Sequence, residues 1–242
     1  MLLDRYLPRM EFDSYEDFKE NYRCHVPADF NFGFDIVDEW ARQEPEKMAL
    51  VWCNDHEEEK RFTFTDISLM SNQAANFFRA HGVKKGTVVM LILRRRWEYW
   101  ICATALHKIG ATLIPGSLQL TKKDLVYRAN AAKIHMIVCV NDDFVIRQVE
   151  EAMPEAPSLT VRALVAGKKT AGWTFPKNWL NTRRCSNGLP ETRLIPSTIS
   201  CWSISLLAPP VCPKWCGIIL LIRWGISSPP NTGSKCRKTN SI

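Results

Sequence analysis

The sequence has 242 residues, of which 46% are apolar and 24% charged, with a formal net charge of +7. This length allows one large domain or two small ones, and the composition is ordinary for a soluble globular protein. Residues 1–10 contain Asp4, Arg5 and Arg9 and have no apolar core, so we predict no secretory signal. The apolar run at residues 217–222 is too short to span a bilayer, and we predict no membrane span.

The composition changes abruptly near residue 168. Residues 1–167 contain 21 Lys+Arg and 24 Asp+Glu, whereas residues 168–242 contain 11 Lys+Arg and a single acidic residue, Glu191. The net charges are therefore −3 and +10. Residues 168–242 also hold five of the nine Trp, five of the nine Cys and eight of the fourteen Pro. The two parts need separate explanations.

The cysteines of the first part stand alone, without the paired spacing of a disulfide framework or a metal site. They are Cys24, Cys53, Cys102 and Cys139. This pattern suits a reducing compartment, and we predict buried thiols that pack as small apolar groups in a cytoplasmic protein.

The first predicted elements are a helix, a hairpin and a second helix. Residues 35–43 have helical apolar spacing and precede Pro45. Residues 49–52 and 62–65 are β-like and flank a charged turn at 54–60, which predicts a hairpin. The next helix runs from about residue 67 to about His81, with Thr65 or Asp66 as its cap and Gly82 as its stop.

Strands and helices then alternate. The strands are predicted at residues 88–93, 112–114, 134–140 and 160–165, and the helices at 98–108, 121–132 and 142–153. Continuous apolar runs such as VVMLIL are typical of strands buried on both faces. The alternation predicts an α/β fold, a partial doubly wound parallel sheet with flanking helices.

Residues 1–167 contain no Gly-rich phosphate loop, no paired metal-ligand spacing and no nucleophile elbow. The run of three arginines at residues 94–96 could steer anions, but a solvated loop is the favoured interpretation. His107 is expected to be a packing residue of an apolar helix, and His81 a helix-end residue.

Four stretches resemble the AMP-forming acyl-CoA synthetases, in particular the acetyl and medium-chain branch. They are FDIVDEWARQEPEKMALVW (34–52), FTFTDISLMSNQAANFF (62–78), GTVVMLILRRRWEYW (86–100) and ALHKIGATLIPGSLQLTKKDLVYR (105–128). The resemblance covers roughly residues 30–167 in the family's order and spacing. It predicts an N-terminal extension at 1–30, the N-terminal α/β subdomain of the synthetase at 31–167, and a basic irregular tail at 168–242.

The resemblance implies a two-step reaction for the full-length parent. A short- or medium-chain carboxylate attacks ATP, with Mg²⁺, to give an acyl-adenylate and pyrophosphate, and the CoA thiol then displaces AMP. The Gln of the motif IPGSLQL contacts CoA in the medium-chain branch, which here is Gln119. A polar loop residue is an equally good interpretation of Gln119. The family's phosphate loop and catalytic Lys have no counterpart in the translated chain, so we expect the fragment to be inactive and to bind no cofactor.

Residues 168–242 have the features of a coding sequence translated one base out of register. New codons formed from the third base of one residue and the first two of the next admit GTTGMPKMVWH across residues 207–218. The preceding junctions allow YFTS, and the combined sequence YFTSGTTGMPKMVWH matches the missing phosphate loop. The code leaves little freedom, since Trp215 followed by Cys216 can give only GTG, a Val. Residues 171–179 admit WMDFPKEL in the same register. We expect a frame shift near residues 168–170.

The alternative is a real basic extension. A net charge of +10 with interleaved Trp could bind nucleic acid, because Lys and Arg neutralise phosphates and aromatic rings stack on bases. A zinc set is a weaker alternative, since the CxxxC of the tail has no regular partners; it would use Cys201, Cys212, Cys216 and Cys236. The second functional hypothesis is therefore a non-enzymatic α/β binding module with a nucleic-acid-binding arm.

Overall fold

The computed structural model describes residues 2–165. Four strands form one parallel sheet: β3 (Val88–Ile92), β4 (Thr112–Pro115), β5 (Ile134–Val140) and β6 (Val161–Val165). Their order is β4-β3-β5-β6, and every neighbouring pair is parallel. The predicted α/β class, with its partial parallel sheet, is confirmed.

The central strands are continuous apolar runs because both faces of the sheet are covered. Side chains of a strand alternate between the two faces. Val89 and Leu91 of β3 therefore belong to one core, and Met90 and Ile92 to the other. The first core is closed by α3 (Phe64–Ala80) and α4 (Glu98–Ile109), the second by α5 (Lys122–Ala132) and α6 (Asp143–Ala152).

The helix ends follow local chemistry. Helix α4 stops where Gly110 adopts a left-handed φ of 74°. Thr121 caps α5 in a capping box with Asp124. The predicted cap of α3 is wrong by two residues. Thr63 is the cap and exchanges hydrogen bonds with Asp66, while the Thr65 hydroxyl donates to the Pro45 carbonyl at 2.8 Å.

The predicted hairpin is confirmed as β1 (Met48–Cys53) paired antiparallel with β2 (Glu59–Thr63). Trp52 Nε1 donates to the Arg95 carbonyl at 2.7 Å. The Phe62 ring stacks on Trp97 with the ring centroids 4.9 Å apart. The hairpin therefore holds the loop that follows β3.

The first 47 residues contain more structure than the sequence predicted. A 3₁₀ turn (Leu3–Arg5) and the short helix α1 (Tyr15–Asn21) were not predicted. The helix predicted at 35–43 is a π-helical segment (Phe32–Asp38) continued by α2 (Glu39–Gln43). Leu2, Tyr6 and Leu7 are buried in the core that α3 and α4 cover, so this segment packs against the sheet domain.

The predictions about the cysteines, the tail and a membrane span have different outcomes. Cys102 and Cys139 are buried as predicted, but Cys24 is half-buried and Cys53 is exposed on the hairpin. The tail, its zinc and nucleic-acid alternatives and the shifted phosphate loop lie outside the described residues. No helix within residues 2–165 is both long enough and apolar enough to cross a membrane.

Candidate functional site at the carboxyl edge of the sheet

The strand order places a topological switch point between β3 and β5. The connection after β3 leads to α4 on one face, and the connection after β5 leads to α6 on the other. In open parallel sheets, ligands bind in the crevice outside the carboxyl ends of the strands at such a point. The loops after β3, β4 and β5 are therefore the candidate site among the described residues.

The loop after β3 is solvated at its arginines, as predicted. Arg94 and Arg95 are exposed, and Arg94 adopts a left-handed φ of 51°. Arg96 instead turns back to bind Glu98, which is only 1% exposed. A buried carboxylate needs such a cationic partner, and this pair was not predicted from the sequence.

The loop after β4 is built to hold its tip in one place. Gly116 donates its N–H to the Leu91 carbonyl at 2.8 Å, and a Cβ at Gly116 would lie 2.7 Å from Ile92 Cγ1. Only glycine allows the backbone to approach β3 so closely. Leu118 and Leu120 pack against the second core on either side of the tip.

Gln119 occupies that tip. Its backbone N–H donates to Ser117 Oγ at 3.2 Å, while the residue as a whole is exposed. The next residues start α5, where the Lys122 N–H donates to the largely buried Gln148 side chain at 2.7 Å. The structure thus places the one sequence-predicted site residue on a fixed loop at the carboxyl edge, with its side chain turned away from the core.

A buried lysine is the main polar feature that the sequence analysis missed. Lys108 is 2% exposed, and its Nζ donates to Asp38 Oδ1 at 2.6 Å and to Asn72 Oδ1 at 2.8 Å. Burial lowers the pKa of Lys108, and the Asp38 carboxylate opposes that shift. A signal was present, since Lys108 follows the buried Ile101 and Ala105 at helical spacing.

The two histidines singled out from the sequence have structural surroundings. The His107 ring packs edge-on against Phe32 at 5.7 Å, its Nδ1 is buried with no hydrogen-bond partner among residues 2–165, and burial lowers its pKa. His81 caps α3, and its Nδ1 lies 2.8 Å from the Phe77 carbonyl. Both placements agree with the packing and helix-end roles expected of them.

The described residues at this edge offer polar groups that can contact a ligand. Within residues 2–165, no three His, Cys, Asp or Glu side chains gather where they could hold a metal ion. The buried thiols are poor nucleophiles, because burial raises the pKa of Cys102 and that of Cys139, the latter to about 12. The exposed polar groups can contact a ligand that other parts of a protein activate.

Comparison with known proteins gives a consistent family assignment. A family model described as AMP-binding enzyme matches residues 37–188. The chain is 32% identical over 188 residues to the mitochondrial acyl-coenzyme A synthetase ACSM3 of Pongo abelii, covering 75% of this chain and 32% of that protein. It is 36% identical over 154 residues to the mitochondrial ACSM5 of Rattus norvegicus, covering 61% and 26%.

Solved structures share the fold. Acetoacetyl-CoA synthetase from Streptomyces lividans superposes with a TM-score of 0.57 at 15% identity, over 64% of this chain and 25% of that chain. The anthranilate CoA ligase AuaEII, in complex with anthranoyl-AMP, gives 0.56 at 19% identity, over 64% and 28%. The chain spans about a quarter to a third of the length of the curated relatives named above.

Proposed function

Because the chain belongs to the AMP-binding enzyme family, we propose that residues 31–167 are the N-terminal α/β part of an AMP-forming acyl-CoA synthetase. The observation that carries the proposal is its similarity to acyl-CoA synthetases over most of the chain, joined to a parallel sheet of the same fold. The parent would use ATP with Mg²⁺ to activate a short- or medium-chain carboxylic acid as an acyl-adenylate. CoA would then take the acyl group and release AMP.

The 242-residue chain itself is proposed to be inactive. A triphosphate needs a loop of backbone N–H groups and a Lys to hold it, and an adenylate-forming transition state needs fixed positive groups where charge develops. The translated sequence contains no Ser/Thr/Gly-rich loop ending in Pro-Lys. The exposed arginines at the carboxyl edge, Arg94 and Arg95, do not replace such a cradle.

The activity test is acid-dependent release of pyrophosphate from ATP by the purified chain. We expect no release with acetate, butyrate or a longer acid. A matched protein, made from the same DNA with one base added or removed near codon 168, should release pyrophosphate if the shifted register encodes the phosphate loop and the rest of the synthetase follows. Robust turnover by the 242-residue chain would refute the proposed inactivity.

The encoding DNA tests the frame shift directly. The second register should continue through residues 168–242 without a stop codon and encode the phosphate loop. The family match extends to residue 188, past the change in composition, so codons 168–188 decide where the registers change. A stop codon in the second register would exclude the shift.

We also propose that Gln119 contacts CoA, supported by its exposed position on a fixed loop at the carboxyl edge. CoA binding would be measured by ligand-observed NMR on the frame-restored protein, because the 242-residue chain is expected to bind no cofactor. Gln119→Ala should weaken it about 2- to 10-fold, the range expected for one hydrogen bond. The matched control is Gln43→Ala, the same change at an exposed site on α2. Equal CoA affinities of the frame-restored protein with and without Gln119→Ala would remove Gln119 as a CoA contact.

The nucleic-acid-binding hypothesis is not favoured by any observation on the described residues, because its basic arm lies at 168–242.

The cytoplasmic location stays a prediction, and it concerns this chain alone. Fractionation of cells that express the chain, followed by detection with an antibody to residues 2–165, would decide it.

A further inference from the structure

Helix α1 presents an unpartnered face. The helix buries none of its residues, and its aromatic side chains Tyr15 and Phe18 are 71% and 37% exposed. These two lie three positions apart and so share one face, while Glu16 and Glu20 lie side by side next to it. We define the α1 surface as these four exposed residues and the two exposed acidic residues just before the helix: Glu11, Asp13, Tyr15, Glu16, Phe18 and Glu20.

This face is held in position by its own contacts. Ser14 Oγ caps the helix by accepting from the Asp17 N–H at 3.1 Å. Both Asp17 carboxylate oxygens accept from the Arg9 guanidinium, at 2.8 and 2.6 Å. The Phe18 ring lies 5.2 Å from Phe12 and 4.9 Å from Tyr22. The exposure of Tyr15 and Phe18 therefore belongs to an ordered segment.

Acidic residues are concentrated in the N-terminal part of the chain and basic residues in its C-terminal part, and this distribution favours one binding partner for the α1 surface. Residues 1–60 hold 16 Asp+Glu and 7 Lys+Arg, and residues 61–167 hold 8 and 14. Within residues 11–20 there are five carboxylates and one lysine. Residues 168–242 carry a net charge of +10 and five Trp. An acidic surface with exposed aromatic rings matches a basic segment rich in Trp in both charge and apolar character.

The length of the chain makes the contact possible. A compact domain of about 165 residues has a radius of gyration of roughly 15 Å. The 77 residues that follow Val165 exceed what is needed to reach any point on such a surface, since even ~20 extended residues span about 65 Å. Because both partners belong to one chain, the effective concentration is in the millimolar range.

We propose that residues 168–242 dock on the α1 surface of the same chain. Lys and Arg side chains pair with the four carboxylates, and Trp rings pack on Tyr15 and Phe18. Each exposed ion pair contributes little, so the contact depends on several pairs and weakens with salt. The proposal does not depend on the synthetase assignment, because it uses only the charge and the surface.

Zero-length carbodiimide cross-linking of the full chain tests the contact, because it joins a carboxylate to a lysine amine only when the two touch. Residues 168–242 contain six lysines as reporters. At about 20 mM salt, where the Debye length is roughly 20 Å, we expect links from these lysines to concentrate on Glu11, Asp13, Glu16 and Glu20. At about 0.5 M salt, where it is roughly 4 Å, these links should fall several-fold.

A pair of matched variants supplies the second measurement, the rate of trypsin cleavage within residues 168–242 at low salt. Glu16→Gln with Glu20→Gln should raise that rate about twofold or more, since each exposed pair is worth a factor of roughly 1.4 to 5. The control, Glu46→Gln with Glu151→Gln, changes the net charge equally at two other exposed sites and should leave the rate unchanged. Tyr15→Ser should act like the first pair.

Three results would overturn the proposal. The first is cross-links spread evenly over the acidic residues of the chain. The second is links that appear only as the protein concentration rises, which would mean contact between two copies. The third is an equal change in cleavage rate for the α1 pair and the control pair.

Discussion

Replacing Lys108 with Met tests whether the buried charge joins three separate segments. Met keeps the length of the apolar stem and removes the ammonium. In the wild-type chain, the Nζ of Lys108 bridges Asp38 of the π-helical segment, Asn72 of α3 and the Ser68 carbonyl. Among the described residues, the variant leaves Asp38 with one side-chain donor, the Ser68 hydroxyl at 2.6 Å. The cost is therefore a carboxylate that has lost its counter-ion.

The exposure of the two partners sets the magnitude. The side chain of Lys108 is 1% exposed and that of Asp38 is 30% exposed. Removing one partner of a fully buried ion pair costs about 3–5 kcal/mol. Water can still reach the Asp38 carboxylate, so we expect about 2–3 kcal/mol for Lys108→Met. That is a large share of a typical domain stability of roughly 5–15 kcal/mol.

The assay is urea unfolding followed by far-UV circular dichroism, in a cycle with Asp38→Asn. The double variant should be more stable than the sum of the two single losses predicts, with a coupling of about 1–3 kcal/mol. The control is Lys84→Met at an exposed site, which should change stability by less than ~0.5 kcal/mol. A Lys108→Met variant within ~0.5 kcal/mol of wild type, or two single losses that simply add, would show that the buried charge does not join the three segments.

Three further predictions concern a carboxyl group, a glycine and a sheet edge. Hydrogen bonds from Arg42 and Gln43 hold the pKa of Glu39 at about 2, down from 4.5. As the pH falls from 4.5 to about 2, the unfolded chain therefore binds more protons than the folded chain, and the free energy of unfolding drops. In acid titrations, the free energy of unfolding of Glu39→Gln should fall less steeply over this range than that of wild type. Gly116→Ala places a methyl group against Ile92 and should lower the urea midpoint, at a cost of about 1–3 kcal/mol, whereas an unchanged midpoint would mean that the loop shifts freely. The outer edge of β6 has no strand partner within residues 2–165, so we predict aggregates in size-exclusion chromatography; a monomer that melts cooperatively above ~60 °C would contradict this.

The strands and most helix ends could be predicted because their causes are local. VVMLIL is apolar throughout, since β3 lies between two cores, and Gly110 ends α4 because the left-handed conformation favours glycine. The cap of α3 was missed for a different reason. Thr63, Thr65 and Asp66 all have suitable side chains, and pairing of Thr63 with Met48 in the hairpin decides which one starts the helix.

The features that the sequence did not predict depend on contacts between distant segments. The π-helical segment brings Gly33 against the Lys108 stem, where a Cβ would clash with Cγ, and it brings Asp38 to the ammonium. Apolar periodicity predicts that residues 35–43 are helical. It does not distinguish an α-helix from the wider π-helix, and packing with α4 determines which of the two forms. Helix α1 was missed because it buries none of its residues and so leaves no apolar stripe in the pattern.

The candidate site was partly predictable for a reason specific to parallel sheets. Every strand of such a sheet points the same way, so the loops after β3, β4 and β5 meet at one edge whatever their sequences are. The position of Gln119 near that edge could therefore be predicted once β4 was recognised. Its outward position follows because Gly116, Leu118 and Leu120 fix the loop around it. Residues 1–167 contain no Gly-rich phosphate loop, so in the proposed synthetase the groups that bind the phosphates would come from segments that follow β6.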